Sequence, residues 1–534
     1  MSKSSKKFKK KRKNSHLRFI IAALVFLLGT ILILVLILCL ILIESFGRFF
    51  YIPLIILFLL DVVCGLFIAN SQSQVDFKVS WLAVLLCLPY VGAVLYILYA
   101  QKITTKGKKA LRRNIINKKL KEGRLDSSLV LDEIKKKDED VYIVANKLYK
   151  QSYASIYKNT QFEYYPLGEN GFPVMIEELK KAKKFIFFEY FIIESGYFFD
   201  DIYEILKQKV KEGVDVRMMY DDFGSVAKIN SFFYKDARKN GIKCFAFNRL
   251  RPAVDIRQNS RDHRKILVID GVVGFSGGCN IADEYINKIV RFGVWKDNIF
   301  MLKGEAVNGL TTLFLSNWML NKKSFQEENP KDYFYDKMKS IHPLLLSSQE
   351  GYYQPFGEVP FDGENATRDA FLQIIQSSKK YLYISTPYLI PDSEVITALE
   401  SAAKSGVDVR IVTPGIPDKK LVYSITRSYY ANLLLNGVKI YEYTPGFNHA
   451  KILVSDDKIA ITGTTNLDFR SLYLHFEDSV LICLTPKIAE IRDDVSEMCK
   501  VGKKINVNDY LHIPLHKKIV WALLRIIAPL IWGE

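Results

Sequence analysis

Hydrophobic and polar positions change rhythm twice along this chain. Residues 1–18 are polar and basic, from Lys3 to Arg18, with no acidic residue. Residues 19–43 are then apolar without interruption, and 25 helical residues would reach roughly 37 Å, enough to cross a bilayer with some tilt. Further apolar runs cover about 49–69 and 81–100, the last containing Pro89 and Gly92. The first run is too long for a signal-peptide core and no small-residue cleavage site follows it, so the pattern predicts N-terminal transmembrane helices. The tail and the segment Lys102 to Arg124 are both basic, and the positive-inside rule wants both in the cytoplasm. Three full crossings break that rule and two satisfy it; the sequence leaves the choice open.

From about residue 140 the rhythm becomes alternating strands and helices. Lys184–Ile193 reads as an aromatic-rich strand, Ile202, Ile205, Leu206 and Val210 as one face of a helix, and Val214–Tyr220 and Ile242–Phe247 as further strands. The order then returns. Tyr381–Ile390 repeats the first strand, Ser405–Thr413 repeats Glu212–Tyr220, and Asn436–Tyr441 repeats Asn240–Phe245, at offsets of 193 to 196 residues. So long a period is a duplicated domain. The predicted fold class is α/β: two similar domains with mostly parallel sheets, behind a membrane segment. The expected divisions are a basic tail and membrane-spanning segments (1–104), a basic linker (105–140), the first domain (141–328), a linker (329–345), the second domain (346–515) and an apolar C-terminal helix (516–534). Lys517–Trp532 suits a membrane interface and equally a helix docked on the core.

Charge and cysteine usage narrow this further. A net charge of +18 on 534 residues attracts polyanions, and the apolar runs favour an anionic bilayer over nucleic acid. The seven cysteines are odd in number, and none has metal-ligand spacing. Neither a disulfide framework nor a zinc site is predicted, and a reducing compartment is the default. The expected location is therefore the cell membrane, multi-pass, with the folded body in the cytoplasm.

Histidine is scarce, at seven, so a patterned histidine carries information. Each half holds one in a fixed frame. After His263 come Lys265, Asp270, Gly277 and Asn280; after His449 come Lys451, Asp456, Gly463 and Asn466, at the same four spacings. One such frame has a chance probability on the order of 10⁻⁵. On a strand the +2 spacing places His and Lys on one face, and the glycine turn can bring the asparagine beside them. Two facing copies supply two imidazoles, two ammonium groups and two amides. That set suits a phosphodiester: one histidine attacks phosphorus, the other protonates the leaving oxygen, and the lysines and asparagines hold the non-bridging oxygens. No carboxylate cluster for a metal lies nearby in sequence, and no cofactor is expected. Asp270 and Asp456 fall in turns, where side-chain to backbone bonds are their ordinary use. His475 has no frame around it and reads as structural or surface, as do His16, His342, His512 and His516.

The paired His-x-Lys-x4-Asp motifs resemble the phospholipase D superfamily, and the whole chain is similar to its bacterial cardiolipin synthases. Trp81–Tyr96 resembles that family's second membrane segment, and Gly463–Ser471 the stretch after its second motif. Residues 1–43 depart from the family pattern. The resemblance implies that all members of the two motifs, Asp270 and Asp456 included, belong to the site, that the first histidine becomes a phosphohistidine, and that the second is the general acid. It implies that Asp297 and Glu477 orient the imidazoles. The implied reaction joins two phosphatidylglycerols and releases glycerol, without a metal. Hydrolysis by the same site, a nuclease activity and an inactive lipid-binding scaffold are the alternatives. Oligomeric state is not legible.

Overall fold

The structure is a computed structural model and describes residues 51–97, 106–249, 260–320, 328–341, 350–360, 363–511 and 513–531. The first half builds β1 (Thr160–Tyr165), β2 (Phe185–Tyr190), β3 (Asp215–Asp221), β4 (Lys243–Phe247), β5 (Lys265–Ile269), β6 (Val273–Gly277), β7 (Val294–Lys296) and β8 (Ile299–Gly304). The second builds β9 (Tyr352–Glu358), β10 (Tyr381–Ser385), β11 (Asp408–Pro414), β12 (Lys439–Tyr443), β13 (Gly446–Asn448), β14 (Ile452–Ser455), β15 (Ile459–Gly463), β16 (Glu477–Cys483) and β17 (Lys503–Lys504). One sheet runs β1-β8-β6-β5-β2-β3-β4, and the other runs β9-β16-β15-β14-β10-β11-β12-β17. Apart from the short edge strand β17, the second sheet repeats the first position by position.

The sheets are mixed, which corrects the expectation of mostly parallel ones. Parallel pairing is confined to β2–β3–β4 and β10–β11–β12, whose strands are joined through helices. Every other pair within the two sheets is antiparallel. The reason is local. Asp270 and Gly271 (φ 52° and 64°), and Asp456 and Asp457 (φ 56° and 54°), adopt left-handed turns that send each His-x-Lys strand straight back as a hairpin.

The halves share a core. One hydrophobic cluster contains Phe187, Val268, Phe300 and Phe314 of the first half with Tyr353, Ile452, Val454 and Ile482 of the second. The stretch expected as a basic linker is helical, at Lys106–Gly123 and Ser128–Lys137, and is followed by a helix at Glu139–Gln151. Leu131, Ile134, Val141, Val144 and Leu148 from it lie in the core of the second half, although they precede the first in sequence.

Near the N-terminus, helices Tyr51–Asn70 and Val75–Cys87 pack together, and the C-terminal helix Leu515–Ile531 packs against Val75–Cys87 and against Lys420–Leu435. The apolar run at 81–100 is interrupted: its helix ends at Cys87, and the Asp61 carboxylate accepts the freed N–H groups of Tyr90 and Ala93 at 2.5 and 2.9 Å. Among the described residues no helix is long and apolar enough to cross a membrane. Residues 19–43 lie outside the described residues. These elements do expose apolar surface, including Ile55, Phe58, Leu59, Val63, Leu66 and Phe67 on Tyr51–Asn70 and Leu86 on the next helix.

Candidate active site

Each histidine sits just before a central strand, where its chain crosses to the other half. The His263 N–H donates to Phe476 O (2.9 Å), and Phe476 N–H donates to Arg261 O (2.9 Å). The counterpart is tied the same way: His449 N–H donates to Lys296 O (2.7 Å), and β13 pairs with β7 in parallel. These crossings bring the two imidazoles and two carboxylates together in a reciprocal arrangement. His263 Nδ1 lies 2.8 and 3.0 Å from the Glu477 carboxylate oxygens, and His449 Nδ1 lies 2.5 Å from Asp297 Oδ2. Each carboxylate comes from the opposite half. All four residues are buried.

The lysines lie beside the rings. Lys265 Nζ donates to His263 O at 2.6 Å; Lys451 Nζ donates to His449 O and sits 2.8 Å from His449 Nδ1. One proton on that Nδ1 cannot serve both neighbours. The shorter contact is to the carboxylate, so Nδ1–H donates to Asp297 and Nε2 carries the lone pair. Asn280 Oδ1 accepts from Ile192 N–H (3.0 Å) while its Nδ2 donates to Tyr285 Oη (2.8 Å). Asn466 is buried, and its Oδ1 has no hydrogen-bond partner among the described residues.

Asp270 and Asp456 stand elsewhere, which corrects their inclusion among the site residues. Asp270 follows the end of β5 far from His263, and the 5 residues of that strand alone span about 16 Å. Its carboxylate accepts the N–H groups of Lys183, Lys184 and Phe185 at 2.7–2.8 Å. Asp456 does the same for Lys379, Lys380 and Tyr381 at 2.7–2.9 Å. Both fasten the start of the neighbouring strand.

Burial dominates the electrostatics. It pushes the Glu477 carboxyl up to about 7 and that of Asp297 up to about 6, against the pull of Lys265 and Lys451. Burial also lowers Lys265 and brings Lys451 down to about 7. Both histidines fall well below the usual imidazole range, through burial first and the neighbouring lysines second. The resting site therefore favours neutral imidazoles. A phosphate entering it brings the negative charge that stabilises both ammonium groups.

Side chains outside the motifs complete the support, again in matched pairs. Asp478 accepts from Lys265 N–H (3.0 Å) and from Ser276 Oγ (2.5 Å); at the equivalent place Asn298 Nδ2 donates to Thr462 Oγ1 (2.8 Å). Thr464 Oγ1 donates to Glu477 Oε2 at 2.5 Å. His475, expected to be structural or on the surface, is buried with its ring 5.7 Å from that of His263 and its Nδ1 3.8 Å from Glu477 Oε1. Its signal in the sequence was position alone, two residues before Glu477. The donor atoms of His263, His475 and Glu477 lie within 4.8 Å of one another and could hold a metal ion. Such an ion would occupy the imidazole–carboxylate pair itself.

The chain is similar to known proteins over most of its length. The family described as "Cardiolipin synthase, PLD-like domain" matches residues 175–305 and 371–499, and "Phospholipase D-nuclease N-terminal" matches 53–100. A cardiolipin synthase of Alkalihalophilus pseudofirmus is 32% identical over 481 residues, 89% of this chain and 93% of the relative. An uncharacterized protein of Streptococcus mutans is 38% identical over 466 residues, 87% of this chain and 99% of the relative. The solved phosphatidylserine synthase of Haemophilus influenzae shares the fold at 14% identity, with a TM-score of 0.53, over 73% of this chain and 97% of that one.

Proposed function

The chain belongs to the phospholipase D-like cardiolipin synthase family, and from that premise we propose that it transfers a phosphatidyl group from one phosphatidylglycerol to another, giving cardiolipin and glycerol. The observation that carries the mechanism is the crossed pairing of each imidazole with a carboxylate of the other half. With Nδ1–H held by a carboxylate, Nε2 of His263 attacks phosphorus. The bond from phosphorus to the departing glycerol oxygen breaks, and His449, protonated on Nε2 once the anionic substrate is bound, gives that oxygen its proton. The hydroxyl of the second phosphatidylglycerol then gives its proton back to His449 and its oxygen bonds to phosphorus, releasing His263. Lys265, Lys451, Asn280 and Asn466 hold the non-bridging oxygens. Two ammonium groups supply the charge stabilisation that a metal would otherwise bring, so activity should survive a chelator.

Membrane attachment belongs to the same reading. The run at 19–43 and the exposed apolar faces of the helices at Tyr51–Asn70 and Val75–Cys87 anchor the chain in the bilayer, with the catalytic body on the cytoplasmic side. The C-terminal helix supports this. Trp521 and Ala528 face the protein, while Leu515, Ile519, Val520, Leu523 and Ile526 on the opposite arc are exposed. A water-facing helix carries polar residues on that arc; an apolar one, flanked by Lys518 and Arg525, suits anionic lipid.

The test is product analysis with purified protein and phosphatidylglycerol vesicles. Cardiolipin and free glycerol are expected. Phosphatidic acid as the main product would instead make the protein a phospholipase, and degradation of DNA at a comparable rate would make it a nuclease.

A further inference from the structure

The two halves repeat each other closely, so a place where they differ is informative. β2 and β10 start 196 residues apart, and so do the helices that follow them, Tyr197–Lys211 and Ser393–Lys404. In the first half the Asp283 carboxylate accepts the N–H groups of Tyr197 (3.0 Å) and Phe198 (2.8 Å). Those bonds fasten the stretch behind the first motif, just past Asn280, to the start of the helix. Asp283 and Phe469 hold the same place in the two frames, 186 residues apart. A phenyl ring offers no oxygen to a backbone N–H, so at this place the second half has no carboxylate to do the same.

The carboxylate comes instead from the helices near the N-terminus. Asp76 Oδ2 accepts from Ser393 N–H (3.1 Å) and from Ser393 Oγ (3.0 Å), and Ser393 stands where Tyr197 stands in the first half. The next residue fills the apolar side of the seat. The Phe77 ring meets Phe469 edge-on at 5.6 Å and Tyr473 at 5.7 Å, and it packs against the core of the second half. Tyr473 Oη in turn donates to Asp392 Oδ2 (2.6 Å), the cap of the helix that Asp76 engages. Phe77 thus touches both ends of the short helix Phe469–Tyr473. Asn466 precedes that helix and Glu477 follows it. Behind it the chain is tied directly to the nucleophile: His475 N–H donates to Arg470 O (3.0 Å), Phe476 N–H donates to Arg261 O, and His263 N–H donates to Phe476 O. A bilayer anchor needs only apolar surface, whereas these two side chains engage the catalytic body.

We propose that Asp76 and Phe77 are positioning residues: the first turn of the helix Val75–Cys87 completes the second half and holds the segment from Asn466 to Glu477, so that its seating aligns the His263–Glu477 pair. This goes beyond anchoring and rests on the roles given above to His263 and Glu477. Releasing Phe469 and Tyr473 lets Glu477 and the backbone acceptor of His263 shift together, and a misplacement of about 1 Å can cost on the order of 10²-fold in rate. It also admits water to the Glu477 carboxyl, which relieves the burial that raises its pKa.

The experiment uses full-length protein and dihexanoylphosphatidylglycerol as dissolved monomers, so that attachment to vesicles plays no part. Glycerol release reads cleavage whether a lipid or water takes the phosphatidyl group. Asp76→Ala and Phe77→Ala should each lower kcat on the order of 10- to 10²-fold with KM within about threefold, and should move the acid limb of the kcat–pH profile to lower pH. The position of that limb is independent of how much protein is folded. Asp76→Asn and Phe77→Tyr, which keep the acceptor and the ring, should recover both. A lowered Tm in the alanine variants, with kcat per folded molecule and the acid limb unchanged, would make the contact purely structural and overturn the proposal. Phosphatidic acid in place of cardiolipin from the unaltered protein on phosphatidylglycerol vesicles would overturn the transferase reading instead, and glycerol release would still decide the role of Asp76 and Phe77.

Discussion

Glu477 decides which nitrogen of His263 can attack, and that gives the site a pH dependence of definite sign. An ionised carboxylate accepts Nδ1–H and leaves the Nε2 lone pair exposed. A protonated one donates to Nδ1 and drives the imidazole proton onto Nε2, where it blocks attack. With the Glu477 carboxyl pushed up to about 7, activity should fall as pH drops through that value, as an apparent titration of the coupled site. Glu477→Gln should cost on the order of 10²–10⁴ in kcat and reshape the acid limb, which a kcat–pH profile checks. Stability runs the other way. A carboxyl whose folded pKa is raised favours folding fully below its unfolded pKa and loses that contribution as pH rises through about 7. Glu477→Gln should therefore raise Tm more at pH 8 than at pH 5. Asp270→Ala removes the acceptor for three backbone N–H groups. It should cost about 1–3 kcal/mol of stability by denaturant titration and leave kcat of the folded protein within a few fold. Gly278→Ala is the converse, since a Cβ there would run into Asp297 Oδ1, and it should depress kcat with little change in KM. The motif residues were legible because their frame recurs. That His263 and Glu477 partner across the halves was not, because a repeat reports what is equivalent and is silent on which copy a side chain touches. His475 escaped notice for a related reason: it is a difference between the copies.

Elements were legible where one physical signal dominated. Asp270-Gly271 announced a hairpin, and the returning strands followed from it, yet their effect on the sheet was missed. Short apolar strands look alike whether they run parallel or antiparallel, and the turn decides the direction. The stretch at 105–140 was hidden by its lysines. Its apolar residues Leu131 and Ile134 are three apart, as a helix requires, and they continue into Val141, Val144 and Leu148 of the next helix. The charge run dominated the composition and masked this face. Ile134 is fully buried in the core of the second half, so Ile134→Ala should cost about 2–5 kcal/mol, read as a lowered midpoint of chemical unfolding. The C-terminal helix gives the opposite expectation. Replacing Ile519, Leu523 and Ile526 together by Ser changes exposed positions, so Tm should hold within a few degrees while binding to anionic vesicles weakens in a flotation assay. A large drop in Tm with unchanged vesicle binding would mean that this face packs on protein.

At the scale of the whole molecule the site exists because two similar halves face each other across one core and exchange partners. Parallel bridges carry the exchange, Asp262 with Phe476 and β7 with β13. Each imidazole has its carboxylate and its lysine, so the pairings alone do not say which one attacks. Chemistry requires a distinction, because one group must hold the phosphatidyl moiety while the other moves a proton. The surroundings differ. The His263 ring lies beside Phe191 and His475; that of His449 lies among Phe447, Trp295 and Tyr285. We propose, following the resemblance to the phospholipase D superfamily, that His263 is the nucleophile and His449 the acid and base. Trapping by acid quench with labelled phosphatidylglycerol tests this directly. His263→Ala should show neither turnover nor label. His449→Ala should fail to turn over phosphatidylglycerol, whose glycerol needs a proton to leave, yet accumulate label from a substrate such as a nitrophenyl phosphodiester, whose leaving group needs none. Label retained in His263→Ala and lost in His449→Ala would reverse the roles.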